Sequence, residues 1–140
     1  MAKSSTKQVK KKTKPGAHVL IVEDDTFLSG MYITKLIMEH FEVELASDGE
    51  QALKSLRQRQ PDIILLDILL PKKSGFEVLK EIRKSPQTKK IPVILLTNLG
   101  EKQDIRRGLD LGADDYLIKA HFLPSEVISK IKSLVEKKII

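Results

Sequence analysis

Five short runs constrain the fold of this chain more than any other feature. HVLIV (18–22), DIILLD (62–67) and PVILLT (92–97) are apolar almost throughout, and VELA (43–46) and YLIK (116–119) are shorter relatives. Apolar residues at consecutive positions mark strands covered on both faces, as in a parallel sheet. Between the runs the apolar spacing turns helical. It takes in Leu28, Tyr32, Ile33, Leu36, Ile37 and Phe41 between 26 and 41, then Ala52, Leu53 and Leu56 after an Asp48-Gly49 start. Pro61 bounds the DIILLD strand, and Phe76, Val78, Leu79 and Ile82 form a third helical set within 75–84. A fourth helix, about Glu101 to Leu111, stops at Gly112, where a left-handed cap is cheap for glycine. The last opens near Pro124-Ser125 and carries Val127, Ile128, Ile131, Leu134 and Val135 inward. Five strand–helix units predict an α/β fold: a parallel five-stranded sheet between two helix layers, a doubly wound (βα)5 sandwich.

Length and charge narrow the function classes. The 140 residues suit one domain, and the absence of cysteine excludes disulfides, thiolate metal sites and cysteine nucleophiles. No apolar run has the length of a membrane span, and the charged N-terminus lacks the apolar core of a secretory signal. No membrane insertion and a cytoplasmic location are therefore expected. Residues 1–16 hold six lysines and no acid, and taking those six from the 25 basic residues leaves 19, equal to the 19 acidic ones. The net charge of +6 thus belongs to the tail. Residues 1–16 are expected to be a disordered basic tail ahead of a neutral domain over 17–140. Such a tail can contact nucleic acid or acidic partners, with a solubilising leader the plainer reading; direct DNA binding by the folded domain is not expected.

Asp67 stands among Ile63, Ile64, Leu65, Leu66 and Ile68, and an unpaired carboxylate is expensive to desolvate. The strand ends supply company. Strand one ends in Glu23, Asp24 and Asp25, strand three in Asp67, strand four in Thr97 and Asn98, and strand five in Lys119. In an open parallel sheet these ends share one edge, where ligands bind. Clustered carboxylates need a cation, and hard oxygen donors with room for water suit Mg2+, with Mn2+ able to substitute. Carboxylate, divalent metal, ammonium and hydroxyl together suit phosphoryl transfer by in-line attack of a carboxylate oxygen.

The motifs LIVEDD (20–25), DIILLDILLP (62–71) with SGFEVL (74–79), VILLTN (93–98) and GADDYLIK (112–119) occur in this order. With them, residues 17–137 resemble the receiver domain of two-component response regulators, of the stand-alone, single-domain type. The resemblance implies a flavodoxin-like sheet of strand order 2-1-3-4-5. It implies that Asp67 is the phosphoacceptor, loaded by a histidine kinase or a histidine phosphotransfer protein. Glu23 and Asp24 match the acidic pair that holds the metal with Asp67, Asp24 directly and Glu23 through water, and Leu69 lies where a backbone carbonyl joins them. Thr97 and Lys119 match the phosphate-contacting pair, and Tyr116 matches the aromatic that switches with Thr97. The signal would leave through the 101–137 face to a downstream protein. The chain would not be an enzyme acting on outside substrates, supporting only its own phosphorylation and dephosphorylation.

Plainer readings stand beside these. Asp25 can be simply the cap of the first helix, Tyr116 a half-buried strand aromatic, Thr97 a strand threonine and Lys119 a snorkelling surface lysine. His121 is read as non-catalytic, and Asp114-Asp115 as a solvated turn at the opposite edge. Three positions depart from the family pattern. Ala120 replaces the usual proline after the lysine, which predicts a trans Lys119-Ala120 peptide and a rearranged loop through His121. Asn98 replaces a small residue and would crowd or hydrogen-bond the phosphoryl site, while Leu69 would shield an acyl phosphate from water and slow its decay. Lys72 stands where glycine is frequent, so either it takes a positive φ or the turn differs. Two other functions compete. A phosphatase of the haloacid dehalogenase type would want an aspartate at the Leu69 position. A receiver-like interaction module would never take phosphate.

Overall fold

The computed structural model describes residues 16–139, with side chains described as far as Glu136. All but the last residue of the predicted basic tail lies outside the described residues. In chain order the elements are β1 (His18–Val22), α1 (Thr26–Met38), β2 (Glu42–Ala46), α2 (Gly49–Gln58), β3 (Ile63–Leu66) and α3 (Gly75–Lys84). They continue with β4 (Val93–Thr97), α4 (Lys102–Asp110), β5 (Asp115–Ile118), a 3-10 turn (Lys119–His121) and α5 (Pro124–Ile139). The five strands form one parallel sheet in the order β2-β1-β3-β4-β5, a flavodoxin-like arrangement.

Alternation along the strands sorts the core into two layers. Ile21, Ile63, Leu65, Ile94 and Leu96 face Tyr32 and Leu36 of α1 and Val127 and Ile131 of α5. Leu20, Val22, Ile64, Leu66 and Leu95 face Ala52 and Leu56 of α2 and Phe76, Leu79 and Ile82 of α3. The starts of α1, α2 and α3 are chemically marked. Asp25 accepts from the Leu28 N–H (3.0 Å), Asp48 from the Gln51 N–H (2.8 Å), and Ser74 with Glu77 closes a capping box on α3. Gly112 follows α4 at φ +105°, as its position predicts.

The structure corrects three local expectations. The α1 pattern does not run to Phe41: the helix stops at Met38, and His40 at φ +71° reverses the chain so that Phe41 enters the core from the turn. Ile37 is left 57% exposed. Asp114 is exposed in the bend before β5, as read from the sequence, but its carboxylate is engaged by the protein and not merely solvated. Asp114 Oδ2 accepts from the Val93 N–H (2.8 Å) and from Arg83 Nη2 (3.1 Å), while Asp115 is the first residue of β5. The acid is recruited there because the first N–H of a buried strand needs an acceptor. Finally, β5 ends at Ile118, and Lys119 opens the 3-10 turn instead of closing the strand. Lys72 takes the glycine-like conformation, at φ +71°. Among the described residues, no helix is long and apolar enough to cross a membrane.

Candidate functional site

The parallel register brings the predicted strand-end residues to one edge. Val22 pairs with Leu66 and Leu66 with Leu95, so the residues that follow emerge side by side. The Asp67 N–H still donates to the Val22 carbonyl (3.0 Å), which fixes the carboxylate one step beyond the sheet. Asp67 is 5% exposed; its Oδ1 accepts from the N–H groups of Ile68 (2.7 Å) and Leu69 (3.3 Å). Glu23 is 4% exposed, and its Oε2 accepts from the Asp25 N–H (3.1 Å). Lys119 reaches across two strands, placing Nζ 2.8 Å from Glu23 Oε1 and 2.9 Å from Asp67 Oδ2.

The electrostatics follow from this crowding. Burial pushes the Glu23 carboxyl above its ordinary value, against the pull of the Lys119 ammonium and the Asp25 N–H. For Lys119 burial acts in the opposite sense, but the hydrogen bonds to Glu23 and Asp67 outweigh it and hold the ammonium protonated. Asp24 is exposed, yet it offers an oxygen within 4.8 Å of oxygens on Glu23 and Asp67. Three carboxylates therefore face one ammonium, a surplus of negative charge at a partly open edge. An all-oxygen donor set with a solvent-facing side fits a hard divalent cation that keeps some of its waters.

Thr97, the last residue of β4, is fully buried, and its Oγ1 accepts from the Leu99 N–H (3.4 Å). Tyr116 donates its hydroxyl to the Leu99 carbonyl (2.7 Å). Burial, helped by Asp104 and Asp67, pushes this phenol up to about 12. Thr97 and Tyr116 thus grip the same loop residue from its two sides. Leu69 lies in the loop after Asp67 with its side chain 56% exposed. Asn98, Ala120 and His121 are exposed, and every peptide bond among the described residues is trans.

Two contributors were missed by sequence reasoning. Leu99 acts through its backbone, which side-chain chemistry cannot announce. Gly75 opens α3 against the backbone after β3: a Cβ there would lie 2.2 Å from the Asp67 carbonyl oxygen. A glycine at a helix start, just after a capping serine, was the available signal.

Known proteins place this arrangement. The family model for the response regulator receiver domain matches residues 19–132. The transcriptional regulatory protein CpxR of Klebsiella pneumoniae is 44% identical over 119 residues, covering 85% of this chain and 49% of that protein. A putative response regulator from Chloroflexus aurantiacus superposes with a TM-score of 0.80 at 35% identity, covering 87% of this chain and 98% of that one. The Mn2+-bound form of the response regulator Rcp1 gives a TM-score of 0.72 at 32% identity, covering 86% and 90%. The chain spans about half the length of the curated relatives it matches. Sequence and fold agree over the same span, and the chain belongs to the response regulator receiver domain family of two-component signalling.

Proposed function

We propose that this domain takes a phosphoryl group onto Asp67 from a phosphohistidine, on a histidine kinase or a histidine phosphotransfer protein, and switches a protein-binding surface in response. The observation that carries this reading is the buried Asp67 carboxylate, 2.9 Å from the Lys119 ammonium and within 4.8 Å of the Glu23 and Asp24 oxygens. An Asp67 oxygen attacks phosphorus in line; the new O–P bond forms as the P–N bond breaks, and the imidazole nitrogen keeps the electron pair and takes up a proton. Lys119 is placed to meet the charge that develops on the phosphoryl oxygens, and Thr97 to donate its hydroxyl to one of them. Glu23, Asp24, Asp67 and the Leu69 carbonyl are the groups to hold Mg2+, or Mn2+ in its place, which when bound would neutralise phosphoryl oxygens. The Mn2+ of Rcp1 is consistent with that choice.

A phosphoryl group brings about −1.5 to −2 charge and three acceptor oxygens. Thr97 turning toward it releases Leu99, and Tyr116 follows, which alters the 101–137 face offered to a downstream protein. The curated relatives are named as transcriptional regulators, so a DNA-binding protein or segment is one recipient this face suits. The folded domain, over 17–140, is not itself the DNA reader, and the basic residues 1–16 are the place for contact with nucleic acid or acidic partners. A cytoplasmic location and the absence of activity on outside substrates complete the reading.

Incubation with acetyl phosphate and Mg2+, followed by intact-mass measurement, tests it. One phosphoryl adduct is expected, and its complete loss in Asp67→Ala. Turnover of many equivalents would instead indicate a phosphatase, and no adduct at all an interaction module.

A further inference from the structure

α4 carries a glycine in its last turn, Gly108, where alanine would favour the helix. The space beside it is already taken. A Cβ at 108 would lie 2.6 Å from Leu95 Cδ1, 2.9 Å from Tyr116 Cδ2 and 3.1 Å from Tyr116 Cε2. Gly30 of α1 makes the contrast, since nothing stands within 4 Å of the same point. The Tyr116 ring therefore lies in a notch that exists only because residue 108 has no side chain. The helix is restrained from backing away, because the guanidinium of the adjacent Arg107 sits 4.2 Å from the centroid of the Phe76 ring on α3. The far end of Leu95 can rotate aside. The rigid ring cannot, while its hydroxyl is tethered to the Leu99 carbonyl at 2.7 Å.

We propose that Gly108 is the positioning residue for Tyr116: its notch seats the ring against α4 with the hydroxyl on Leu99, and so sets where the loop between β4 and α4 stands. This rests on the reading of Tyr116 as the switch, but the seat itself does not depend on Asp67 accepting phosphate. A side chain at 108 evicts the ring, frees the Leu99 carbonyl and uncouples α4 from the residue that Thr97 also holds.

The test is a double-mutant cycle in the full chain, read by urea denaturation, with Gly108→Ala, Tyr116→Ala and the pair together. Gly108→Ala should destabilise while the ring is present, and become neutral or stabilising once Tyr116→Ala removes it, matching Gly30→Ala. If Gly108→Ala alone does not fold, the double variant must; a double variant that also fails, or an additive cycle, overturns the proposal. NMR supplies the positional readout. Gly108→Ala should lose the cross-peaks between the Tyr116 ring and the Leu95 methyls and shift the Leu99 amide, and retained cross-peaks would show that Leu95 alone yields, which also overturns it. Acetyl phosphate with Mg2+ should move the Tyr116 ring resonances in the parent protein and far less in Gly108→Ala; an undiminished response would reject the positioning role. A parent protein that takes no adduct overturns the Asp67 assignment instead, while the cycle and the cross-peaks still judge the seat.

Discussion

The two ends of the sheet use the same residue types for opposite purposes. At the amino end, Asp62 Oδ2 accepts from the His18 N–H (2.8 Å) and Asp114 Oδ2 from the Val93 N–H (2.8 Å), with Arg83 closing the second acid into an ion pair. These aspartates complete strand starts whose N–H groups would otherwise lack acceptors. Arg83 extends the closure by donating to the carbonyls of Gly112, Lys89 and Ile91. At the carboxyl end, Glu23 and Asp67 are buried with one ammonium between them, and Asp24 adds a third carboxylate nearby. The amino end is finished; the carboxyl end holds uncompensated negative charge. Parallel strands present N–H groups at one edge and carbonyls at the other, so acids are stabilised at the first and must be justified by a cation at the second.

Substitutions at the two ends should separate accordingly. The largest effect is expected at Lys119. Lys119→Met leaves Glu23 and Asp67 facing each other without their ammonium and should cost about 3–5 kcal/mol in Mg2+-free buffer, measured by urea denaturation. Mg2+ should restore part of that loss while the phosphoryl adduct stays slow to form; a variant as stable as the parent without Mg2+ would break the contrast. Asp114→Ala should cost about 1–2 kcal/mol, trimmed by the partial exposure of its ion pair, and leave adduct formation unchanged. Impaired phosphorylation there would mean that the amino end is not merely structural.

Between these lies a pH effect at His18. Burial first, then the Arg59 charge, lowers its pKa below the ordinary value of 6.5, so the unfolded chain binds the proton more readily. The stability that the neutral imidazole contributes is present above about pH 6.5 and falls away as pH drops through the lower folded value. Thermal melts across that range should flatten in His18→Leu, and an unchanged slope would assign the acid sensitivity to carboxylates. The smallest effect is expected at Leu69. Leu69→Asn should quicken decay of the acyl phosphate and change stability by no more than about 0.5 kcal/mol, as its exposed side chain allows. An unchanged decay rate would remove Leu69 as the shield.

Much of this was legible because it is local. Asp25 and Asp48 announce helix starts through their own backbone bonds, and Gly112 announces a stop. Asp67 was legible as a strand-end residue because an apolar run leaves a carboxylate few other places. Part of what was misread involved partners far along the chain. Asp114 looked like a turn acid because Arg83 is 31 residues away. Phe41 extended the helical period numerically, although His40 had already reversed the chain. Gly108 gives no sign of its surroundings in the sequence, because the Tyr116 ring beside it comes from another element.

By itself, then, the sequence determined the element types, their order, the parallel sheet and the set of strand-end groups, because periodicity and capping act within a few residues. The tertiary structure alone decided which groups touch. It put one ammonium between Glu23 and Asp67, joined Thr97 and Tyr116 through Leu99, and set Tyr116 into the notch at Gly108. The physical reason is that hydrogen bonds, ion pairs and ring contacts are decided over a few ångströms. Only the register of packed strands and helices brings residues from distant parts of the chain that close.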